Sequence, residues 1–285
     1  MTIAVVGASG FIGRHVIAAL SKQDTGEIVA TSRGGAGDAA WGPNVRAVAL
    51  DVHDADGAYE RLGRPDTLVH LAWGGLPNYL SRHHFEVELP AHYRFIEAMT
   101  AAGTARVLVT GTCYEYGMRN GELTEDLLPA PENAYALAKT TLLGQLEILR
   151  QERRFDLTWA RLFYMWGEGQ GANSLYPLLM AAIERLDKRF AMSLGEQLRD
   201  YLPIGDVADI LVRLAQLKRG AGVVNVCSGD PIAVRRLVEG WLAERGTDIA
   251  LDLGHYPYPS HEPLAFWGSR RKLDALLAGE VDKKT

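Results

Sequence analysis

Ile3-Ala4-Val5-Val6-Gly7-Ala8-Ser9-Gly10-Phe11-Ile12-Gly13 is the stretch on which the fold turns. Four apolar residues run into a turn carrying three glycines, and Phe11, Val16, Ile17 and Leu20 then recur at helical spacing. This reads as strand, turn, helix. In a dinucleotide-binding turn one glycine lets the backbone reverse tightly, a second lets it approach a pyrophosphate, and a third lets helix and strand pack closely. The helix N-terminus, at Phe11 and Ile12, faces the phosphate charge. The spacing is G-x-x-G-x-x-G rather than G-x-G-x-x-G, and taken alone such a turn also serves as a structural connection. Its place at the head of a βαβ series favours dinucleotide binding by Gly7, Gly10, Phe11, Ile12 and Gly13.

Outward from this stretch, short β-branched runs alternate with longer helical ones: Ile28 to Thr31, Val45 to Leu50, Thr67 to Leu71, Val107 to Thr110 and Leu157 to Leu162. Each run is short and nearly continuous, as expected of parallel strands covered on both faces. Leu142, Leu146 and Leu149 give helical spacing to the stretch from Asn133 to Gln151. The Gly- and Ala-rich connection from Arg33 to Pro43 reads as a mobile surface loop. After about Gly167 the rhythm changes to helices at Leu175 to Leu186, Val207 to Leu217 and Val234 to Glu244, with a strand from Val223 to Val226 that is expected to return to the main sheet. The expected division is a dinucleotide-binding domain over 1–166 and a smaller, interleaved substrate lobe over 167–285.

Composition bounds the remaining choices. The chain has 285 residues, 47% of them hydrophobic and 23% charged, which fits a folded globular protein and not a disordered or fibrous one. A formal net charge of -5 gives no general attraction to polyanions, so nucleic acid is disfavoured as a ligand. Cys113 and Cys227 cannot build a disulfide framework. No apolar run approaches the roughly 18 residues of a spanning helix. We therefore expect a cytoplasmic protein with no membrane partner. His83 and His84 have neither paired carboxylates nor a third ligand in the sequence, so no metal is expected there.

The second strand ends in Thr31-Ser32-Arg33-Gly34, where NAD-binding chains commonly carry an acid for the ribose. A cation suits a 2′-phosphate better, so NADP (as NADPH) is expected over NAD, with a solvent-facing Arg33 as the alternative. Asp51 and Val52, at the end of the third strand, are placed to bracket the adenine, although an Asp at such a junction also serves as a helix cap. Farther on, Tyr135-Ala136-Leu137-Ala138-Lys139 sets a phenol and an ammonium one helical turn apart on a common face. The cation favours the phenolate and lowers the phenol's pKa, as an acid/base for alcohol and ketone interconversion requires. Thr112, after the fifth strand, adds a hydroxyl for the same substrate oxygen.

With the Gly turn, Thr112, Tyr135 and Lys139 in this order, the chain resembles the extended short-chain dehydrogenase/reductase family, in particular its nucleotide-sugar epimerase, dehydratase and reductase branch. The resemblance continues through His70-Leu71-Ala72, Glu115-Tyr116-Gly117, Arg161-Leu162-Phe163, Trp166-Gly167, Arg199-Asp200-Tyr201, Gly205-Asp206-Val207-Ala208 and Val224-Asn225-Val226. It implies a Rossmann-type, doubly wound α/β sheet with a small substrate lobe, a nucleotide sugar held between them, and Leu71 and Ala72 beside the cofactor. It further implies Thr112, Tyr135 and Lys139 as the catalytic residues, Lys139 also holding the nicotinamide ribose, and Arg199 on the substrate diphosphate. Asn173 and Ser174 fall where relatives contact the nucleotide, or serve as an ordinary helix cap. Trp73 lies in a segment bordering the sugar. Relatives dimerise through the helices matching His84 to Ala102 and Ala134 to Arg150, so a homodimer is expected.

The departures select among the family's reactions. Dehydratases of the family place an Asp-Glu pair directly after the catalytic Thr, and here Cys113 and Tyr114 stand there. Glu115 is one position late and, on an extended segment, would point to the opposite side. The 3,5-epimerase/reductases put a Cys two residues before the Tyr of V-Y-G, whereas Cys113 lies three before Tyr116. Glu88 and Tyr164 stand where relatives often carry Asn. The expected activity is NADPH-dependent reduction of a nucleotide-linked 4-keto-6-deoxyhexose. The alternatives are a 4-epimerase that uses its cofactor catalytically, a reductase of a free carbonyl compound, and a non-catalytic dinucleotide-binding protein.

Overall fold

The computed structural model describes residues 1–23, 26–34, 41–258 and 262–281. Residues 35–40, most of the connection read above as a mobile loop, lie outside them. Seven parallel strands form the main sheet: β1 (Thr2–Val6), β2 (Glu27–Ser32), β3 (Val45–Ala49), β4 (Thr67–His70), β5 (Arg106–Thr112), β6 (Asp156–Leu162) and β7 (Gly222–Val226). Their spatial order is β7-β6-β5-β4-β1-β2-β3, a doubly wound arrangement whose direction reverses between β1 and β4. Ligands bind outside the strand C-termini at such a reversal. The Gly turn after β1 and the segment after β4 both open there.

Side chains along β1 alternate between two apolar layers. Ile3 and Val5 pack with α1 (Phe11–Leu20) on one face, and Ala4 and Val6 pack with α2 (Leu89–Ala102) and α3 (Ala134–Glu152) on the other. The first layer is completed by α4 (Ile204–Ala215), whose Val207, Ile210, Leu211 and Leu214 are buried. Most strands are covered on both faces as expected, but β3 is only half-buried because it forms the edge of the sheet.

A smaller lobe stands above the C-terminal edge. Tyr164–Trp166 pairs in parallel with Leu198–Pro203, which pairs antiparallel with Pro231–Ala233. Its own core gathers Trp166, Tyr176 and Trp241, with ring centroids 4.9 to 5.1 Å apart. Both α4 and β7 come from the chain beyond Gly167 yet complete the main sheet. No helix among the described residues is long and apolar enough to cross a membrane.

Candidate active site

The first two turns of α3 carry Tyr135 and Lys139, and Lys139 bonds back to Thr110 near the end of β5, the strand that finishes at Thr112. Asn133 caps α3 by accepting the Ala136 N–H at 2.8 Å, which fixes the helix start and aims Tyr135 and Lys139 inward. Both are buried. The Lys139 ammonium donates to the Thr110 carbonyl at 2.9 Å and lies 4.0 Å above the Trp73 ring and 5.9 Å from the Tyr135 ring. Burial pulls the Lys139 pKa down to about 7, against the opposing pull of the Glu115 and Glu88 carboxylates. Burial, reinforced by Tyr79, Glu115 and Cys113, pushes the Tyr135 phenol well above its usual range. This corrects the expectation that the lysine would lower the phenol: here desolvation dominates, and Tyr135 is a full phenol at neutral pH.

Thr112 is nearly buried, and its hydroxyl accepts the Tyr114 N–H at 3.3 Å. The following residues Cys113–Tyr116 form a short 3-10 turn rather than an extended segment, which changes the reason Glu115 leaves the site. Its carboxylate folds back to accept the Thr112 N–H at 2.8 Å, the Arg161 Nε–H at 2.8 Å and the Trp159 Nε1–H at 3.0 Å. Fully enclosed by these donors, Glu115 is a structural anchor beneath the site.

The nucleotide end of the site agrees with its glycine pattern. Gly7 has φ +88°, and a Cβ there would lie 2.8 Å from the Ala72 N; a Cβ on Gly13 would lie 2.2 Å from the Gly7 carbonyl oxygen. The first turn of α1 carries no acidic residue and no side-chain cap, so its N–H groups at Phe11 and Ile12 stay directed toward a phosphate, while the Gly10 N–H closes the turn on the Gly7 carbonyl at 3.1 Å. The Gly7 N–H donates to the Thr31 hydroxyl and the Ala8 N–H to the Thr31 carbonyl, which ties the turn to β2. Arg33 directly follows β2 and is exposed. Asp51 accepts the His53 N–H at 3.0 Å, a local turn contact, and Val52 is buried. Leu71 continues β4 by donating its N–H to the Val6 carbonyl, with Ala72 against Gly7. These residues fit a dinucleotide: a cradle without side chains, uncapped helix N–H groups, and Lys139 at its far end.

Above the catalytic group the chain builds an aromatic wall. Tyr79 lies 5.7 Å from Tyr135 and 5.2 Å from Tyr114, Trp73 meets Tyr135 edge-on at 6.0 Å, and Tyr164 stacks near Tyr201 at 5.2 Å. Arg199 joins this wall already paired. It bonds Glu262 at 2.8 Å and the Leu198 and Leu264 carbonyls at 2.9 and 3.2 Å. Tyr114 also donates to Glu262 at 2.8 Å. Burial opposes ionisation of Glu262, and the bonds from Arg199, Tyr114 and Tyr164 outweigh it and hold the carboxyl below its usual range. Asp200 accepts the Ser228, Gly229 and Gly268 N–H groups, so the Arg-Asp pair anchors three segments of the lobe.

Of the residues read from the sequence, Trp73 stands beside Tyr135 and Lys139, and Thr112 ends the strand whose Thr110 carbonyl holds Lys139. Ser174 begins the helix Leu175–Glu184 without a side-chain capping bond, and Asn173 is exposed. Glu262, Glu88 and His92 were missed as members of the site. For the last two a signal existed, since His84, Glu88 and His92 repeat at i, i+4 along an otherwise apolar helix face.

Residues 3–227 match the model of the NAD dependent epimerase/dehydratase family. Among curated proteins the chain is similar to the dTDP-6-deoxy-L-talose 4-dehydrogenase (NAD(+)) of Aggregatibacter actinomycetemcomitans, at 25% identity over 95% of this chain and 100% of that one. It is also similar to the dTDP-6-deoxy-L-talose 4-dehydrogenase (NAD(P)(+)) of Kitasatospora kifunensis, at 29% identity over 97% of this chain and 88% of that one. Among solved structures, the UDP-glucuronic acid 4-epimerase from Bacillus cereus in complex with UDP-glucuronic acid and NAD shares the fold, with a TM-score of 0.83 and 21% identity over 98% of this chain and 93% of that one.

Proposed function

Because the chain belongs to the NAD dependent epimerase/dehydratase family, we propose that it is an oxidoreductase acting at C4 of a nucleotide-linked 6-deoxyhexose, reducing the 4-keto sugar with NADPH. The observation that carries the reaction type is that the two places directly after Thr112, where dehydratases of the family hold an acid and a base, carry neither: Cys113 is a buried thiol and Tyr114 is bonded to Glu262, while Glu115 beyond them is consumed by Thr112, Trp159 and Arg161. Dehydration needs such a second pair, while carbonyl reduction does not. The bound nicotinamide would supply the hydride to the carbonyl carbon. Tyr135 donates the proton to the substrate oxygen, and the Thr112 hydroxyl holds that oxygen in place. Lys139 keeps a cation behind the phenol and holds the ribose end of the cofactor.

The sugar reading is supported by the similarity to the two dTDP-6-deoxy-L-talose 4-dehydrogenases, whose names describe the oxidative direction of the same C4 interconversion. Arg33 after β2 supports NADPH, although one of those relatives is named for NAD(+). In this reading residues 1–166 carry the cofactor, with Asp51 and Val52 at the adenine. Residues 167–285 carry the substrate, with Arg199 on the diphosphate and Asn173 and Ser174 toward the base. Exposed Leu137 and Ile148 on α3 support a homodimer through α2 and α3.

The test follows absorbance of the reduced nicotinamide with NADPH and NADH in parallel, against dTDP-, GDP- and CDP-linked 4-keto-6-deoxyhexoses, with Tyr135→Phe as control. Consumption with one nucleotide series, abolished in the variant, is the expected result. Interconversion of sugar nucleotides without net consumption would make the chain an epimerase instead.

A further inference from the structure

Behind Lys139, between the sheet and helices α2 and α3, a line of polar side chains crosses an otherwise apolar layer. His70, the last residue of β4, places Nε2 2.7 Å from Nδ1 of His92. His92 places Nε2 3.0 Å from the Glu88 carboxylate, and Glu88 in turn meets His83 at 2.8 Å and His53 at 3.5 Å. The His70 and His92 residues are fully enclosed, while the side chains of His83 and His53 are 42% and 39% exposed. One end of the line is in the core beside the active site and the other is in solvent.

The hydrogen positions along this line follow from its own chemistry. Burial opposes ionisation of Glu88, but the bonds from His92, the Gly74 N–H and His83 outweigh it and hold the carboxyl down at about 2. An ionised carboxylate only accepts, so His92 donates from Nε2. Burial keeps His92 neutral down to about 4, so its Nδ1 accepts and His70 must donate from Nε2. Burial, with the charges of His92 and Lys139, also holds His70 well below its ordinary value and neutral, which leaves its Nδ1 as a buried acceptor with no partner among the described residues.

Lys139 lies beside this inner end. Its ammonium bonds the Thr110 carbonyl while the Thr110 hydroxyl bonds the His70 carbonyl at 3.5 Å. The Trp73 ring beneath the ammonium stacks on His92 at 4.5 Å with planes 14° apart. The charged and titratable groups facing the line are Lys139 from α3, His53 from the segment after β3, and His83 and His84 from the start of the helix, His84 accepting the Trp73 Nε1–H at 3.1 Å.

We propose that His70, His92 and Glu88 form a proton path between solvent and the Lys139–Tyr135 pair. The inference rests on the redox reading above, since an epimerase returns hydride and proton to the same substrate and needs no exchange with bulk, whereas reduction consumes one solvent proton per turnover. Tyr135 and Lys139, 8% and 2% exposed, need a route for it. In reduction the Tyr135 proton goes to the substrate oxygen as the hydride forms the C–H bond. The phenolate then takes a proton from the Lys139 ammonium. The Lys139 amine is reprotonated along the line when both imidazoles hold their protons on Nδ1: His70 gives up its Nδ1 proton and takes that of His92 on Nε2, and His92 takes on its Nε2 the proton that Glu88 received from solvent by way of His83 or His53. An inward run leaves both rings in the Nε2–H tautomers deduced above, from which an outward run starts directly; a second inward run requires each ring to turn and present its proton on Nδ1 again, and no electrons move along the path. Oxidation of the alcohol runs every hop in reverse. His70, His92 and Glu88 touch neither substrate nor cofactor and act through Lys139.

The experiment compares wild type, Glu88→Gln and His92→Phe, the second keeping a ring beneath Trp73 should the first not fold. Readouts are kcat, KM, the solvent deuterium effect on kcat, and the primary effect of 4-deuterated NADPH with the 4-keto sugar nucleotide. We expect kcat to fall tenfold or more in a folded variant with KM within twofold, the solvent effect to rise, and the primary effect to fall toward one as proton delivery becomes limiting. An active wild type whose variants keep the wild-type solvent effect, whatever their kcat, would overturn the path alone. A wild type that reduces no 4-keto acceptor would overturn the redox reading, and the need for a path with it.

Discussion

The Arg199 guanidinium and the Glu262 carboxylate meet at 2.8 Å with Tyr114 bonded to the same carboxylate, so the cation that the family resemblance assigns to a substrate diphosphate is already neutralised by the chain itself. In the proposed reading a diphosphate and Glu262 draw on the same buried cation. Glu262→Gln keeps the shape and removes the competing charge. We expect it to tighten binding of dTDP or UDP by about three- to tenfold and to lower the melting temperature, because a buried Arg199 loses its counterion. Arg199→Met should weaken the same binding by at least tenfold. Calorimetric titration of both variants with the free nucleotides decides it: equal weakening in the two would mean that Glu262 contacts the nucleotide rather than opposing it.

Tyr135→Phe removes only the hydroxyl, and a general acid of this kind contributes about 10²- to 10⁴-fold. Turnover should fall by that factor while NADPH binding, followed by fluorescence, stays within twofold. Thr112→Val is expected to lose both turnover and stability, since its hydroxyl also caps the 3-10 turn at Cys113–Tyr116. A cap of this type is worth about 1 kcal/mol.

Lys139 sets a pH signature. Its pKa is about 7 in the folded chain against 10.5 when unperturbed, so between these values the unfolded state binds the extra proton and stability rises with pH. Below about pH 7 both states are protonated, and the burden of a buried ammonium is at its full size, on the order of a few kcal/mol. Lys139→Met should therefore raise the melting temperature most at pH 7 and below, with the gain shrinking toward pH 10. For catalysis the sign is opposite: the ammonium supplies the proton, so the reductive kcat/KM should fall as pH rises through about 7. Melting scans and pH-rate profiles at matched ionic strength read the two effects separately.

The main sheet was legible because its strands are short, mostly β-branched runs, several of them with a helix after them, and the Gly7 to Gly13 turn announces the first unit. The proposed catalytic pair was legible for a similar reason: Tyr135 and Lys139 are one helical turn apart, and local spacing survives folding. The partners that modify this group come from far along the chain. Glu262 reaches Arg199 across 63 positions, and Trp159 reaches Glu115 across 44. No periodicity encodes such pairs. Glu115, Tyr116, Arg161 and Asn225 were quoted for their resemblance to family motifs, yet Tyr116 donates to Asn225 at 2.7 Å and Arg161 to Glu115, forming a buried polar scaffold under the site. The raised phenol of Tyr135 was not legible either, because desolvation depends on the whole wall of Trp73, Tyr79 and Tyr114 that encloses it.

Arg33 is the one side chain on which the cofactor preference rests. A guanidinium pairing with a 2′-phosphate gains charge-assisted bonds that the 2′-hydroxyl of NAD cannot repay. Arg33→Ala should lower kcat/KM for NADPH by about tenfold or more and leave that for NADH nearly unchanged. Steady-state kinetics with both cofactors test this. No loss with either cofactor would leave Arg33 as an exposed surface cation, and parallel losses with both would end its role in choosing between them.

Glu115 distinguishes a structural carboxylate from a second catalytic base. It is fully buried and accepts from the Thr112 N–H, the Trp159 indole and the Arg161 guanidinium, whose own side chain is enclosed. In Glu115→Gln the Arg161 cation loses its counterion in the core, and breaking a buried pair from one side costs about 3–5 kcal/mol. The variant should unfold at markedly lower denaturant concentration, and because Glu115 also fixes the Thr112 N–H, surviving folded enzyme should lose activity in step with the displacement of Thr112. Pairing Glu115→Gln with Arg161→Met removes both charges at once. If Glu115 acts through packing and electrostatics, the double variant recovers much of the lost stability and part of the turnover. A base acting on substrate would leave the double variant as inactive as the single one while its stability returned, and that split between unfolding midpoint and kcat is the measurement that separates the two roles.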